Sequence, residues 1–129
     1  MKLISLRATV LVMMMALLAS CGLFKPGPSK VVKNFYHDVE AGKIEEATKL
    51  FSAQVQQTFG SKLSTVMSSQ TRKIEQKGGI KSIDTKENIT GDLAKVEYTV
   101  TYKDGSTEQG TIDLIKEKGD WKIQLGPNK

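Results

Sequence analysis

The stretch Ala94-Lys95-Val96-Glu97-Tyr98-Thr99-Val100-Thr101-Tyr102 decides the fold. Ala94, Val96, Tyr98, Val100 and Tyr102 are apolar or aromatic, and the residues between them are polar. Successive side chains of a strand point to opposite faces, so this is a strand with one buried and one wet face. One-sided burial of this kind belongs to an antiparallel sheet covered on a single side.

Turns bound the strand on both sides. Upstream, Ile80, Ile83, Thr85, Glu87 and Ile89 form a weaker run that Thr90-Gly91-Asp92 turns back. Downstream, Gly110, Ile112 and Leu114 lead a third strand, and Trp121, Ile123 and Leu125 a fourth. Parity sets the register. A two-residue Asp104-Gly105 turn would place Val96 opposite Asp113, and a one-residue slip exposes a whole face. A three-residue Lys103-Asp104-Gly105 loop places Val96 opposite Ile112. A three-residue hairpin with Gly105 in the left-handed region is therefore predicted. Lys118-Gly119 supplies the even loop that pairs Leu114 with Ile123.

Before the strands the period is helical. Ser29 is the expected N-cap of a helix over roughly residues 30–41, with Val31, Val32, Phe35, Tyr36 and Val39 on its apolar face and Gly42 as its stop. Lys30, Lys33, Asn34, His37 and Asp38 fall opposite. Ile44, Ala47, Leu50 and Phe51 predict a second, shorter helix, which Ser52 closes unless it caps the next. Val55, Phe59, Leu63, Val66, Met67 and Ile74 mark a third helical region with a candidate break at Gly60-Ser61 and an end at Lys77-Gly78-Gly79. Helices followed by a meander give an α+β fold, with N-terminal helices packed on a curved four-stranded antiparallel sheet. Residues 29–129 are read as a single domain.

The N-terminus carries Lys2 and Arg7, then the apolar run Thr9 to Leu18, then Leu18-Ala19-Ser20-Cys21. The run is too short to span a bilayer and suits the central region of a signal peptide. Residues 1–20 are read as that signal, and 21–28 as the anchor and a tether. Leucine, two small residues and cysteine resemble the lipobox of bacterial lipoproteins. The resemblance implies cleavage before Cys21, a thioether to diacylglycerol on its thiol, and acylation of the new amine. It further implies that Gly22 directs the protein to the inner leaflet of the outer membrane if the host is Gram-negative. A Gram-positive host would place it outside the plasma membrane. Cys21 is the only cysteine, so an intramolecular disulfide is excluded.

Removing Lys2 and Arg7 lowers the formal charge from +5 to +3, with acids and lysines interspersed. A basic stripe is absent, so nucleic acid is not an expected partner.

Val31-Val32, Phe35-Tyr36, Gly42-Lys43, Ala47 and Leu50-Phe51, with the late Asp120-Trp121-Lys122-Ile123, resemble nuclear transport factor 2-like (cystatin-like) domains, especially small uncharacterised ones of bacterial lipoproteins. The resemblance covers about residues 29–125 and implies a cone with a candidate pocket. Fold of this kind hosts enzymes, ligand binders and interaction modules, so it does not decide function. Enzymes of the superfamily place Asp, His or Tyr inside the cone, and the strong inward strand here carries no acid.

The candidate chemistry is sparse. His37 belongs to the wet face, with no second His to complete a metal site. Asp38 and Glu40, Glu45-Glu46, and Glu117 with Asp120 read as surface charge. Tyr36, Tyr98, Tyr102 and Trp121 are the candidate pocket lining, although aromatic residues equally suit a core edge. No phosphate loop, nucleophile elbow or catalytic triad is named by the sequence. The expectation is a non-enzymatic, lipid-anchored domain of the cell envelope with no catalytic residue, metal or cofactor. Its partners would be the membrane, through Cys21, and an envelope protein or small apolar ligand. A ligand binder using the cone is the alternative, and a hydrolase or isomerase ranks below both. An exposed apolar patch is expected around Ile115. Truncating Phe35 is expected to cost far more stability than truncating His37.

Overall fold

The computed structural model describes residues 25–125. The stretch read as a signal, Cys21 and residues 22–24 of the expected tether lie outside the described residues.

Helix α1 (Pro28–Glu40) starts at Gly27, not at the expected cap Ser29. Pro28 takes the first helical position, where its ring presets φ and its missing N–H has no partner to lose. The Gly27 carbonyl accepts from the Val31 N–H at 3.0 Å. Val31, Val32, Tyr36 and Val39 are buried as the spacing predicts, and His37 is exposed. Phe35 is only half-buried, in edge-to-face contact with Tyr36 and with Phe51. Gly42, at φ +73, ends the helix.

Helix α2 (Ile44–Lys49) buries Ala47. Leu50 and Phe51 were expected to continue it. The chain instead runs alongside the last strand: Ile123 N–H donates to the Leu50 carbonyl at 2.7 Å and Ser52 N–H to the Ile123 carbonyl at 2.8 Å. This parallel bridge of Phe51 with Ile123 satisfies backbone groups that an edge strand otherwise leaves open. Ser52 then caps α3 (Ala53–Phe59), its Oγ accepting from Val55 N–H at 3.3 Å.

Gly60, at φ +47, separates α3 from α4 (Ser61–Gln76) at the predicted break. Leu63, Met67 and Ile74 form the buried stripe of α4. Phe59 and Val66 do not join it, being 37% and 57% exposed. α3 ends at Phe59 and Gly60 breaks the helix there, so the stripe that Phe59 continues does not run on into α4. Gly78 and Gly79, both at positive φ, close α4 as expected.

The sheet is a meander of β1 (Ile80–Thr90), β2 (Leu93–Tyr102), β3 (Thr107–Glu117) and β4 (Asp120–Gln124) in sequential order. Val96 pairs with Ile112 and Leu114 with Ile123. The β2–β3 loop is Lys103-Asp104-Gly105, with Gly105 at φ +89 and Tyr102 N–H donating to the Ser106 carbonyl at 2.9 Å. Lys118 and Gly119 both have positive φ, as a two-residue hairpin turn requires. Ala94, Val96, Val100, Tyr102, Leu114, Trp121 and Ile123 are buried on the face that α1 covers, while α2 and α4 pack on α1. Leu125, expected inside, is 47% exposed because it lies past the end of β4.

Gly110 is dictated by its cross-strand partner Tyr98. A Cβ on Gly110 would stand 2.5 Å from the Tyr98 hydroxyl and 2.8 Å from Cζ. The ring lies over the bare glycine and meets Tyr36 beyond it, at 5.4 Å between centroids. Gly110→Ala is therefore expected to cost about 1–3 kcal/mol by overpacking. In a Tyr98→Ala background the same change should cost far less. Denaturant midpoints of the four proteins in this cycle check it, and additive effects would refute the contact.

Candidate functional site

Three of the four aromatic residues singled out in the sequence come together. Tyr36 of α1 and Tyr98 of β2 are in ring contact, and the Tyr102 hydroxyl donates to Glu108 Oε2 at 2.6 Å. Glu108 lies opposite Val100, so it shares the inner face of the sheet. Burial pushes the Tyr36 phenol well above the ordinary tyrosine range, and a hydrogen bond with Tyr98 and the nearby Glu108 carboxylate push it further. Tyr102 is raised likewise, first by burial and then by its bond to Glu108. Phenols held protonated in this way are hydrogen-bond donors and poor bases. Trp121 stands apart on β4, with Lys116 Nζ 5.5 Å from its ring centroid.

A polar rim borders this cluster. Lys77 Nζ lies 5.0 Å from the Tyr102 ring centroid and donates to Ser106 Oγ at 2.9 Å. The Ser106 hydroxyl donates in turn to Asp104 Oδ1 at 2.6 Å. Hydrogen bonds from Ser106 and the charge of Lys77 hold the Asp104 carboxyl below its ordinary value. A serine beside a lysine has the outline of a nucleophile and its base. Here the serine proton points at Asp104, away from Lys77. The arrangement fastens the β2–β3 hairpin to the end of α4, together with Lys103 N–H on the Gly79 carbonyl and Asp104 N–H on the Lys77 carbonyl.

The open space lies elsewhere. A groove of about 810 Å³ runs between α3 and the sheet. Helix α3 supplies Gln54, Val55, Thr58 and Phe59, and Leu125 follows β4. Asn88, Lys95, Asp113 and Gln124 also border it; they are register neighbours in one row across all four strands, on the sheet face opposite the buried Ala94 and Leu114. Phe59, Leu93 and Leu125 expose apolar surface at this groove. The bridge of Phe51, the Ser52 cap and a contact of Ala53 N–H with Glu117 Oε2 at 3.5 Å set the start of α3 at its rim. A second depression of about 510 Å³ is polar and includes Tyr98 and Gly110. Tyr36, Tyr102 and Trp121 line neither space.

The apolar patch expected around Ile115 appears on its register partner: Ile115 is half-buried and Leu93 is 57% exposed. Glu108 and the Asn88–Gln124 row were missed. The predicted register contained Val100 opposite Glu108 and Lys95 opposite Asp113, but no pairing was predicted for Asn88. Among the described residues no group of three His, Cys, Asp or Glu side chains is placed to hold a metal, and no helix is long and apolar enough to cross a membrane. Cys21 lies outside the described residues.

No curated protein matches the chain. Among solved structures, a crystal structure from Campylobacter jejuni that carries the provisional name NTF2-like transpeptidase is similar at 21% sequence identity, with a TM-score of 0.69. The match covers 78% of this chain and 100% of that one. At this identity the likeness shows the fold: helices on a four-stranded antiparallel sheet of the NTF2-like type. A family model matches residues 19–124, and the chain belongs to that family, described as a domain of unknown function, DUF4878.

Proposed function

We propose that this protein is a non-enzymatic binding domain of the bacterial cell envelope, anchored to a membrane by lipid on Cys21, whose groove between α3 and the sheet takes a small amphipathic ligand. The observation that carries this reading is the groove itself. Its volume lies in the range of ordinary ligand sites, and apolar and polar residues share its lining. Phe59, Leu93 and Leu125 leave apolar surface uncovered at one place, and a contiguous exposed patch of that kind marks a binding site. The lipobox supports the anchor and the envelope location. Gly22 favours the inner leaflet of the outer membrane in a Gram-negative host.

The name of the Campylobacter jejuni protein raises transpeptidation. That reaction needs an activated nucleophile with a base in hydrogen-bond reach. The hydroxyls of Thr48 and Thr71 donate to backbone carbonyls, Ser52 caps α3, and Ser106 donates to Asp104. His37 is exposed on α1. These engagements favour binding over catalysis.

Two measurements test the proposal. Cys21→Ser is expected to accumulate as an uncleaved precursor without lipid label. A normally cleaved, lipid-labelled mutant would overturn the anchor. Mass spectrometry of the full chain purified without denaturant is expected to detect a retained small molecule, lost in Phe59→Asp. Wild-type protein that retains none would overturn the binding reading.

A further inference from the structure

We infer that the open edge of β1 pairs antiparallel with the same edge of a second copy of this chain, joining the two meanders into one continuous sheet; the contact is separate from the groove and does not rest on it. The two edges of the sheet are finished differently. The β4 edge is short and is partly covered by the bridge of Phe51 to Ile123. The β1 edge runs from Ile80 to Thr90, and only Ile80, Ile83 and Thr85 along it are half-buried, the rest exposed. Glu40 Oε2 takes the Ile80 N–H at 2.6 Å. From Ser82 to Thr90, among the described residues, no backbone hydrogen bond other than those to β2 engages the strand. An edge of that length with no proline and no cover is a template for another strand. Glu87 and Ile89 are exposed although they share the face that the helices cover elsewhere, so no helix overhangs this end of the edge.

Charge complementarity selects the partner and the register. Gly91-Asp92 is a two-residue turn with Gly91 at φ +59, closed by the partners Thr90 and Leu93. The residues that close such a turn exchange hydrogen bonds, and hydrogen-bonded pairs then alternate along the ladder. Ser82, Asp84, Lys86 and Asn88 therefore bond to β2, and Ile83, Thr85 and Glu87 turn their N–H and C=O groups to the open edge. Two copies centred on Asp84 or on Lys86 would set like charges directly opposite, which is destabilising. Centred on Thr85, each Asp84 faces Lys86 of the second copy, and Ser82 faces Asn88. Asp84 and Lys86 then occupy non-hydrogen-bonded positions, where opposed Cα atoms are about 4.5 Å apart and side chains come closest. The two Thr85 residues meet at the centre, a pair whose hydroxyls can bond across strands. The ion pairs among the described residues are Lys25–Asp120 and Lys49–Glu46, so neither Asp84 nor Lys86 is engaged in one within the chain.

Sedimentation velocity of the full chain in density-matched non-ionic detergent, from micromolar to submillimolar protein, tests this. The wild-type chain is expected to show a concentration-dependent equilibrium of monomer and dimer, weak because the interface is small. Asp84→Lys and Lys86→Asp should each weaken self-association about tenfold, since each sets like charges together twice in the dimer. Mixed with one another, these two variants should form a heterodimer about as tightly as the wild type, because every facing pair is then of opposite sign. Thr85→Pro removes an outward N–H that β2 does not use, so it should abolish the dimer while circular dichroism shows the sheet intact. A wild-type chain that stays monomeric throughout, a dimer unaltered by these substitutions, or mixed variants that associate no better than either alone would overturn the pairing. If Thr85→Pro does not fold, the mixing experiment decides alone.

Discussion

Phe51→Ala is expected to lower the stability of the domain by about 3–5 kcal/mol, the usual cost of removing a buried phenylalanine ring. Phe51 is 6% exposed and stacks edge-to-face on Phe35 at 5.5 Å. It also sits where the chain bridges to Ile123, so its loss opens a cavity between α1 and the edge of the sheet. A loss of that size is a large share of the about 5–15 kcal/mol that holds a typical domain together. His37→Ala, on the exposed side of α1, should change stability by no more than about 0.5 kcal/mol. Phe35→Ala should fall between the two, because its ring is only half-buried. Denaturant midpoints at constant slope measure all three. Equal shifts for Phe51→Ala and His37→Ala would mean that Phe51 is not inside the core.

The second large effect is alkaline. Tyr36 and Tyr102 have their phenol pKa values raised in the folded state, above about 10 in the unfolded chain. The folded protein therefore holds protons that the unfolded chain has released. Below about pH 10 both states are protonated and the stabilisation is fully present. As pH rises past that point, each tyrosine should cost about 1.4 kcal/mol per pH unit until its folded pKa is reached. With both acting, the domain should unfold steeply on the alkaline side. Tyr36→Phe and Tyr102→Phe together should flatten the decline. Tyr102→Phe should also cost about 1–3 kcal/mol at neutral pH, because Glu108 loses its donor. An equally steep alkaline decline in the double variant would refute the assignment.

The polar rim and the tyrosine cluster explain why the aromatic residues singled out from sequence do not form the groove. Tyr36, Tyr98 and Tyr102 have short-range partners of their own, and they fill the part of the cone where α1 lies on β2. Space remains where α3 stands off the sheet, and its placement follows from the bridge at Phe51 and the break at Gly60. Neither event has a periodic signature. A helical stripe predicts burial only while one helix continues, which is why Phe59 was expected in the core and is found at the rim.

By itself the sequence determined the α+β class, the order of helices and strands, and the register of the meander, down to the three-residue loop that ends at Gly105. These follow from local rules: period 2 against period 3.6, glycine where φ must be positive, and the parity that keeps Val96 on the same face as Ile112. The tertiary structure alone decided what those elements enclose. Phe51 left its helix because an edge strand had backbone groups to satisfy. Gly110 stayed bare because Tyr98 crosses it. Glu108 turned inward because Val100 did, and Asn88, Lys95, Asp113 and Gln124 became one row only when four strands from different parts of the chain were laid side by side. Local patterns carry the direction a side chain takes from its own strand or helix; what it meets there depends on residues far away in the chain.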